Sequence, residues 1–499
     1  MKEKKYKIYL FYVSNNPLWR HFPNSLLALC NPLTDAGLTP VIIDTVLQKT
    51  EILALDDALF AGFSIYTDIN ITRALALARD LRARYPTLPL VWGGPHVIMK
   101  PEQAARHPLV DVACYGEGEI SVAALARNLL NGKETFENVP GIIWKNAAGE
   151  LVKNPAPDYV DVNALAVYPY QILDEKLYNL KHGKIYYEAS RGCPYGCKFC
   201  SYDHTKWRNR AADKVIEDLG FIEREFMPQE IQITDANHFM SIPWVSRIWA
   251  GKISRGLKFR WETNCRFDTL ARIPDEVLAI IAASGCYQLR LGAESGSQEI
   301  LDYLNKGVKV EELFVGLEKC RRHNIAPLIS FMVGYPPEGE REIDATTQLI
   351  DRIRVKFPAA QINGLFQFQP YPNTKIYEEI SRDYHIPQPE TLDGWAQYQI
   401  IEMHRGDFPW LSNRQYRQLR VLNAIVSYIF FADKVRNMPR EQRNAIAFFK
   451  FVPLFYLFLA CDSVVRNIFV RLRWDRKIMF FPFEWYVWNF IRKNVLKLF

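Results

Sequence analysis

Along the first 130 residues, short apolar runs alternate with longer stretches whose apolar positions recur at helical spacing. Lys7–Ser14, Thr39–Thr45, Leu59–Tyr66, Leu88–Gly93 and Val110–Tyr115 read as strands; Asn24–Gly37, Asn70–Tyr85 and Glu119–Leu130 read as helices. Strands separated by helices of this length predict a parallel sheet covered on both faces. Ligands of such sheets bind beyond the carboxyl ends of the strands. The residues expected there are Ser64, Tyr66 and Thr67; then Gly93, Gly94, Pro95 and His96; then Gly116, Glu117, Gly118 and Glu119. Small residues at those ends let backbone approach a flat or bulky ligand. The plainer alternative is that Gly93 and Gly94 only turn the chain and His96 is a satisfied loop histidine. The G-x-G-x-x-G pattern is missing after the first strand, which argues against a nicotinamide domain.

Residues 136–182 are rich in Pro, Asn and Asp, with Pro140, Pro155, Pro157 and Pro169 and a hairpin pattern in GIIWKNAAGELVKN, and read as a linker. A second strand–helix series follows, with strands near Ile185–Ser190, Glu230–Asp235, Lys258–Asn264, Tyr287–Ala293, Pro327–Val333 and Ile362–Gln369. Six such units predict a complete or partial barrel over 183–395, with functional residues at the carboxyl ends of its strands. Beyond about Trp395 the pattern turns helical and aromatic, marking a third segment, 396–499.

The 499 residues suffice for two to four domains. An apolar fraction of 49 % and a charged fraction of 23 % exclude wholesale disorder and fibrous classes. Nine cysteines are too few for a disulfide scaffold, and the start MKEKKYKIYLFYVSNN has no leader-like apolar segment. A cytoplasmic protein with reduced thiols is the expectation. The net charge of +7 is concentrated in residues 401–499, with 17 Lys and Arg against 7 Asp and Glu. There the basic residues alternate with large apolar ones, which favours a membrane surface or a packed core over nucleic acid. The longest uncharged apolar stretch, Phe451 to Cys461, is 11 residues, short of the roughly 20 that cross a bilayer.

Directly after the strand IYYEAS comes Arg191-Gly192-Cys193-Pro194-Tyr195-Gly196-Cys197-Lys198-Phe199-Cys200. Three thiolates this close in one loop can converge on one inorganic cluster, and three ligands leave one iron of four open for reaction. A zinc site with His204 as fourth ligand is the alternative, although the chain has no second C-x2-C pair. Cys30, Cys114, Cys265, Cys286, Cys320 and Cys461 are scattered singly and read as small buried hydrophobes.

At this loop the sequence resembles the radical S-adenosylmethionine (SAM) enzymes, whose signature is C-x3-C-x-aromatic-C, with Phe199 in the aromatic position. The resemblance continues through Ile233-Thr234-Asp235-Ala236-Asn237, Trp261-Glu262-Thr263-Asn264-Cys265-Arg266 and Leu291-Gly292-Ala293-Glu294-Ser295-Gly296-Ser297-Gln298. It ends with Asn305-Lys306-Gly307 and Phe331-Met332-Val333-Gly334-Tyr335-Pro336-Pro337-Glu338. It implies that Cys193, Cys197 and Cys200 hold a [4Fe–4S] cluster whose open iron binds SAM. Gly292, Glu294 and Ser295 would hold the ribose or methionine part. Glu294 is either the acceptor of ribose hydroxyls or a carboxylate paired with a neighbour such as Arg290. Asp235, Asn264 and Arg266 are expected at the barrel mouth, as cofactor ligands or as structural residues.

Given that second domain, the segments around Ser64, Gly93 and Gly116 look like the cobalamin-binding domain of the B12-dependent radical SAM family. The two resemblances together cover residues 5–395. The implied architecture is α/β: a Rossmann-like cobalamin-binding domain over 1–135, the linker, a partial (β/α)6 radical SAM barrel and a C-terminal helical segment. The Asp-x-His-x-x-Gly motif is missing, so no protein histidine on cobalt is expected. Methylthiotransferases need three further N-terminal cysteines, whereas only Cys30 and Cys114 are present. The implied reaction is one-electron cleavage of SAM, hydrogen abstraction from an unactivated carbon, and methyl transfer from cobalamin, with an external electron donor. A non-methylating oxidative cyclase or ring-rearranging enzyme is the second reading, and a non-catalytic sensor the third. The tail around Arg471-Leu472-Arg473-Trp474 and Phe480-Phe481-Pro482-Phe483-Glu484-Trp485 is loosely similar to those of members acting on tetrapyrroles and polycyclic lipids. The implied substrate is a hydrophobic or natural-product small molecule, a lipid or a tetrapyrrole being among the options, and the tail would serve as a lid, a core or a peripheral membrane contact.

Overall fold

The computed structural model describes residues 6–13, 22–397 and 408–423, apart from 49, 51–52, 68–69, 134 and 202–204. The expectations for the basic aromatic tail lie outside the described residues from 424 onward. Two sheets organise the rest. The first has seven strands: β1 (Lys7–Tyr12), β2 (Thr39–Asp44), β3 (Ala58–Ser64), β4 (Leu90–Gly93), β5 (Val112–Cys114), β6 (Ile142–Lys145) and β7 (Leu151–Lys153), in the order β2-β1-β3-β4-β5-β6-β7. Strands β1 to β5 are parallel and nearly continuous in apolar residues, as expected where helices bury both faces. Helices Asn24–Asp35 and Gly118–Leu130 pack on one face, and Asn70–Arg84 on the other, giving two separate cores.

The hairpin of 142–153 departs from the expected linker. Its strand β6 pairs antiparallel with β5, Cys114 opposite Ile142, and β7 pairs antiparallel with β6. Asn146 closes the turn by accepting from the amides of Ala148 and Glu150, and Gly149 supplies φ +81°. The free edge of β5 is thus covered by local sequence, and the sheet is mixed rather than wholly parallel.

The second sheet has six parallel strands: β8 (Lys184–Tyr187), β11 (Glu230–Ile233), β12 (Arg260–Cys265), β13 (Cys286–Glu294), β14 (Ala326–Val333) and β15 (Gln361–Gln367). Each lies beside its neighbour in sequence, from β8 through to β15, with no pairing between those two ends. This is a partial (β/α)6 barrel. Two short strands, β9 (Ser190–Arg191) and β10 (Arg208–Asn209), form an antiparallel ladder that brackets the cysteine loop.

The first sheet is clasped from two sides. Tyr178 donates to Asp44 at 2.8 Å, and Phe22 meets Tyr186 with ring centroids 5.0 Å apart. After the barrel, helix Leu392–Ala396 returns to helix Asn70–Arg84, and Trp395 donates to Gln103 at 2.7 Å. No described helix is long and apolar enough to cross a membrane.

Inside the barrel, the buried Glu262 carboxylate takes two hydrogen bonds of 3.0 Å from Arg290 and a further contact from Lys184. Burial alone would raise its pKa, but the Arg290 hydrogen bonds and Lys184 outweigh it and hold it below 4.5. A depressed carboxylate stabilises the fold above its unfolded pKa, and that contribution is lost as pH falls through the folded value. Glu262→Gln is therefore expected to lower stability at neutral pH and to flatten the fall in melting temperature below pH 4.5, measured by thermal denaturation across pH 3–7.

Candidate active site

A cavity of about 440 Å³ opens at the carboxyl ends of β3, β4 and β5, facing the barrel. Its floor is small: Gly62, Ser64, Gly93, Gly94, Gly116 and Gly118 line it. Gly94 has φ +93°, and a Cβ there would lie 2.7 Å from the Ile65 nitrogen and 2.9 Å from Ser64 Oγ, so no side chain fits. At Gly116, φ is +89° and nothing lies within 4 Å of a Cβ position, which leaves backbone bare to the cavity. Tyr66, Pro95 and Ile98 form one rim, with Tyr66 41 % and Ile98 48 % exposed.

The opposite wall comes from the barrel: Glu188, Arg191 and Thr234. Here the charges assemble into a network. Arg191 lies 2.7 Å from Glu119, 2.7 Å from Glu188 and 3.6 Å from Glu117. Arg208 takes both oxygens of Glu117, at 3.0 and 2.5 Å, and the amide of Val160 also donates to that carboxylate. Burial works to raise the Glu117 pKa, but these partners together depress it, so the group stays ionised. Tyr168 donates to Glu188 at 2.6 Å. The wall joins the loop after β5 to the residue two positions before Cys193.

The cysteine loop follows at once. Gly192 has φ +83°, and a Cβ there would fall 2.2 Å from the Lys206 carbonyl oxygen, so the sharp entry requires glycine. The loop is pinned by Thr205 Oγ1, which accepts from the Cys193 amide at 2.9 Å, by Asn305 donating to the Gly196 carbonyl at 2.8 Å, and by the Lys198 amide donating to Leu304 at 2.9 Å. Cys197 is buried; Cys193 and Cys200 are half-buried. Burial pushes the Cys193 thiol up and Cys197 adds to that, while Arg266 and Lys306 pull it down. Among the described residues no three Cys, His, Asp or Glu side chains are close enough to share a single ion. Three cysteine thiols on one short loop are donor chemistry that fits an iron–sulfur cluster; His204, the fourth ligand of the zinc alternative, lies outside the described residues.

Beside this loop stand the ends of β12 and β13. Arg266 lies over the Tyr195 ring, with 3.9 Å from Cζ to the ring centroid. Glu294 has φ +60°, a left-handed conformation uncommon outside glycine, at a register break between Gly292 and Glu294. Its carboxylate is 2.7 Å from Lys306 Nζ, which itself lies 5.8 Å from the centre of the Phe199 ring. Ser295 shares a 3.2 Å contact with Thr346, whose hydroxyl also accepts from the Gly296 amide. Gly296 admits no Cβ, which would lie 2.4 Å from the Ala345 carbonyl oxygen.

Several candidate residues take other roles. Thr67 and His96 turn away from the cavity and bond each other at 2.8 Å; burial pushes His96 down to about 4, with Lys100 adding to it, and its ring meets Trp395 at 5.6 Å. Asp235 is saturated by protein donors: the amides of Ala189 and Ser190, Ser190 Oγ and His238 Nδ1, all within 2.8–2.9 Å. It fixes the backbone entering the cysteine loop and has no oxygen to offer a ligand. Glu117 and Glu119 line the cavity with their charges already matched by arginines. Arg290 belongs to Glu262, and the partner of Glu294 is Lys306. Asn264 is exposed at the mouth and donates to the Asp235 carbonyl at 3.3 Å. Arg191, Glu188, Tyr168 and Lys306 are absent from the sequence-based set. The position of Arg191 beside the loop and the place of Lys306 in the Asn305-Lys306-Gly307 motif were the only signals that could have marked any of them in advance.

Residues 187–350 match the Radical SAM superfamily. An uncharacterized methyltransferase of Pyrococcus horikoshii is 27 % identical over 296 residues, covering 58 % of this chain and 62 % of that protein. The 2-(S-pantetheinyl)-carbapenam-3-carboxylate methyltransferase of Streptantibioticus cattleyicolor is 32 % identical over 454 residues, covering 81 % of this chain and 62 % of the relative. The chain thus spans about three fifths of the length of either relative. In fold, it is similar to the cobalamin-dependent SAM radical enzyme OxsB, solved with aqua-cobalamin and SAM bound: TM-score 0.72, 16 % identity, covering 99 % of this chain and 80 % of that one.

Arg191→Gln leaves three carboxylates facing one arginine in a partly buried wall. Removing one partner of such a set costs about 3–5 kcal/mol, so a lower melting temperature and faster proteolytic cleavage between the two sheets are expected; unchanged proteolysis would show that the domains do not depend on this network.

Proposed function

We propose, from a chain that carries a Radical SAM superfamily domain over residues 187–350, that this protein is a cobalamin-dependent radical SAM C-methyltransferase. The observation that carries the reading is a three-cysteine loop at the end of the first barrel strand, joined through one arginine network to a glycine-floored cavity in a separate domain. Cys193, Cys197 and Cys200 would hold a [4Fe–4S] cluster, with the Gly292–Ser295 turn and Lys306 arranged beside it for SAM. The bare backbone of Gly93, Gly94 and Gly116 would support the corrin face of cobalamin.

These cofactors supply, when bound, a radical able to remove hydrogen from an unactivated carbon and a methyl group to replace it. The residues of the chain hold and shield. Asp235 fixes the start of the cysteine loop, Arg191 keeps the two cofactor domains in register, and Tyr66 and Ile98 present an apolar rim to the substrate space. Apolar surroundings exclude water from a reactive centre. The substrate is a small molecule; a hydrophobic one, such as a polycyclic lipid or a tetrapyrrole, is the finer reading, supported by this rim and by the aromatic C-terminal sequence. The low count of nine cysteines favours a reducing, cytoplasmic setting, and the basic tail favours peripheral contact with a membrane surface.

Cobalt and iron per chain, measured after anaerobic purification from cells supplied with hydroxocobalamin, test the two sites separately. Near-stoichiometric cobalt is expected, with 5′-deoxyadenosine formed from SAM under reducing conditions and label from methyl-SAM entering product. Cys200→Ala should abolish deoxyadenosine formation and keep its cobalt. Cobalt near zero in iron-loaded protein would overturn the methyltransferase reading, and deoxyadenosine without methyl incorporation would turn it into a cyclase or rearranging enzyme.

A further inference from the structure

We propose that Arg266 sets the reduction potential of the iron–sulfur cluster, holding it less negative than the three cysteines alone would. The inference rests on the cluster reading above. Its ground is the way the guanidinium is fixed. Nε lies 3.0 Å from Asp268, Nη2 donates to the Lys306 carbonyl, and the plane stacks on Tyr195, which sits inside the cysteine loop between the first two ligands. The remaining nitrogen, Nη1, lies 3.9 Å from the sulfur of Cys197. Cys197 is the buried member of the three, and the Arg266 side chain is 11 % exposed. Lys306, the other cation nearby, is committed to Glu294 at 2.7 Å.

Reduction adds one electron, and so one negative charge, to the cluster. A cation held against a ligand sulfur in a poorly solvated site stabilises that added charge, and N–H···S hydrogen bonds act in the same direction. Asp268, buried and shared between Arg266 and Arg272, opposes it from the far side of the guanidinium. The sign of the effect therefore differs between the two residues. Arg266→Gln should make the cluster harder to reduce, and Asp268→Asn easier. Arg266→Lys keeps the charge but loses the fork and the stack, and should fall between wild type and the glutamine variant.

The test is a redox titration of the anaerobically reconstituted full chain, followed by the electron paramagnetic resonance signal of the reduced cluster, with iron counted in every sample. For Arg266→Gln, a tenfold lower ratio of reduced to oxidised cluster at fixed poise is expected, which for one electron is 59 mV. A wild-type midpoint in an iron-replete Arg266→Gln protein would overturn the proposal. So would shifts of both variants in one direction, since a residue that only shapes the loop would disturb it alike in either case. Should Arg266→Gln take up no iron, Asp268→Asn decides: a positive shift supports the proposal, and an unchanged or more negative midpoint overturns it. Wild-type protein that binds no iron would instead overturn the cluster reading itself.

Discussion

Arg191 is the point on which the arrangement turns. Its side chain is 13 % exposed and is shared among Glu188 of its own strand end and Glu117 and Glu119 of the first domain. Buried charge persists only where partners replace water, and here the partners come from two separately built sheets. The same residue begins the turn into Cys193, so the requirement to satisfy one guanidinium fixes the distance between the glycine floor and the cysteine loop. A cavity between domains becomes a defined space through this pairing, since neither sheet supplies both of its walls.

Asp235 does comparable work one layer deeper. Its four donors draw together the end of β8, the first residue of β9 and His238, and Trp249 donates onward to the far nitrogen of that imidazole at 3.2 Å. The His238 ring is held within a cage of Trp244, Trp249 and Trp261, the last two stacked 3.5 Å apart. The loop's entry thus rests on a fully buried polar chain inside an aromatic core, which gives it rigidity without spending any side chain that must meet a ligand. Glycines at 192 and 296 act on the same region by exclusion, because a single added carbon at either would meet backbone oxygen.

Around the cysteines, the charge pattern separates duties. Glu294 and Lys306 neutralise each other beside the strained end of β13, while Arg266 keeps one nitrogen for sulfur. Two cations of similar reach are therefore not redundant: one is bound into the turn at Glu294, the other into the loop at Tyr195.

The sequence by itself determined the periodic elements, the parallel runs of β1 to β5 and of the barrel strands, and the three-cysteine loop, because these depend on local spacing: apolar runs make strands, and ten consecutive residues carry the whole thiol motif. It also placed Gly93, Gly94, Gly116 and Gly118 at strand ends, which read directly from the pattern, while Gly62, inside β3, carried no such signal. Only the tertiary structure decided which polar side chains are free to meet a ligand. Glu117, Glu119 and Asp235 read alike as acidic residues at strand ends, yet two are claimed by arginines 72 to 91 residues away and the third by backbone amides 45 and 46 residues away. His96 and Thr67 read as strand-end residues that could meet a ligand, with a satisfied loop histidine as the alternative for His96, and they are turned inward to each other. The hairpin of 142–153 read as part of a linker because its composition is that of one, and it belongs to the first sheet because β5 has an edge to cover. Pairings of this kind depend on what the fold brings alongside, and no local pattern encodes them.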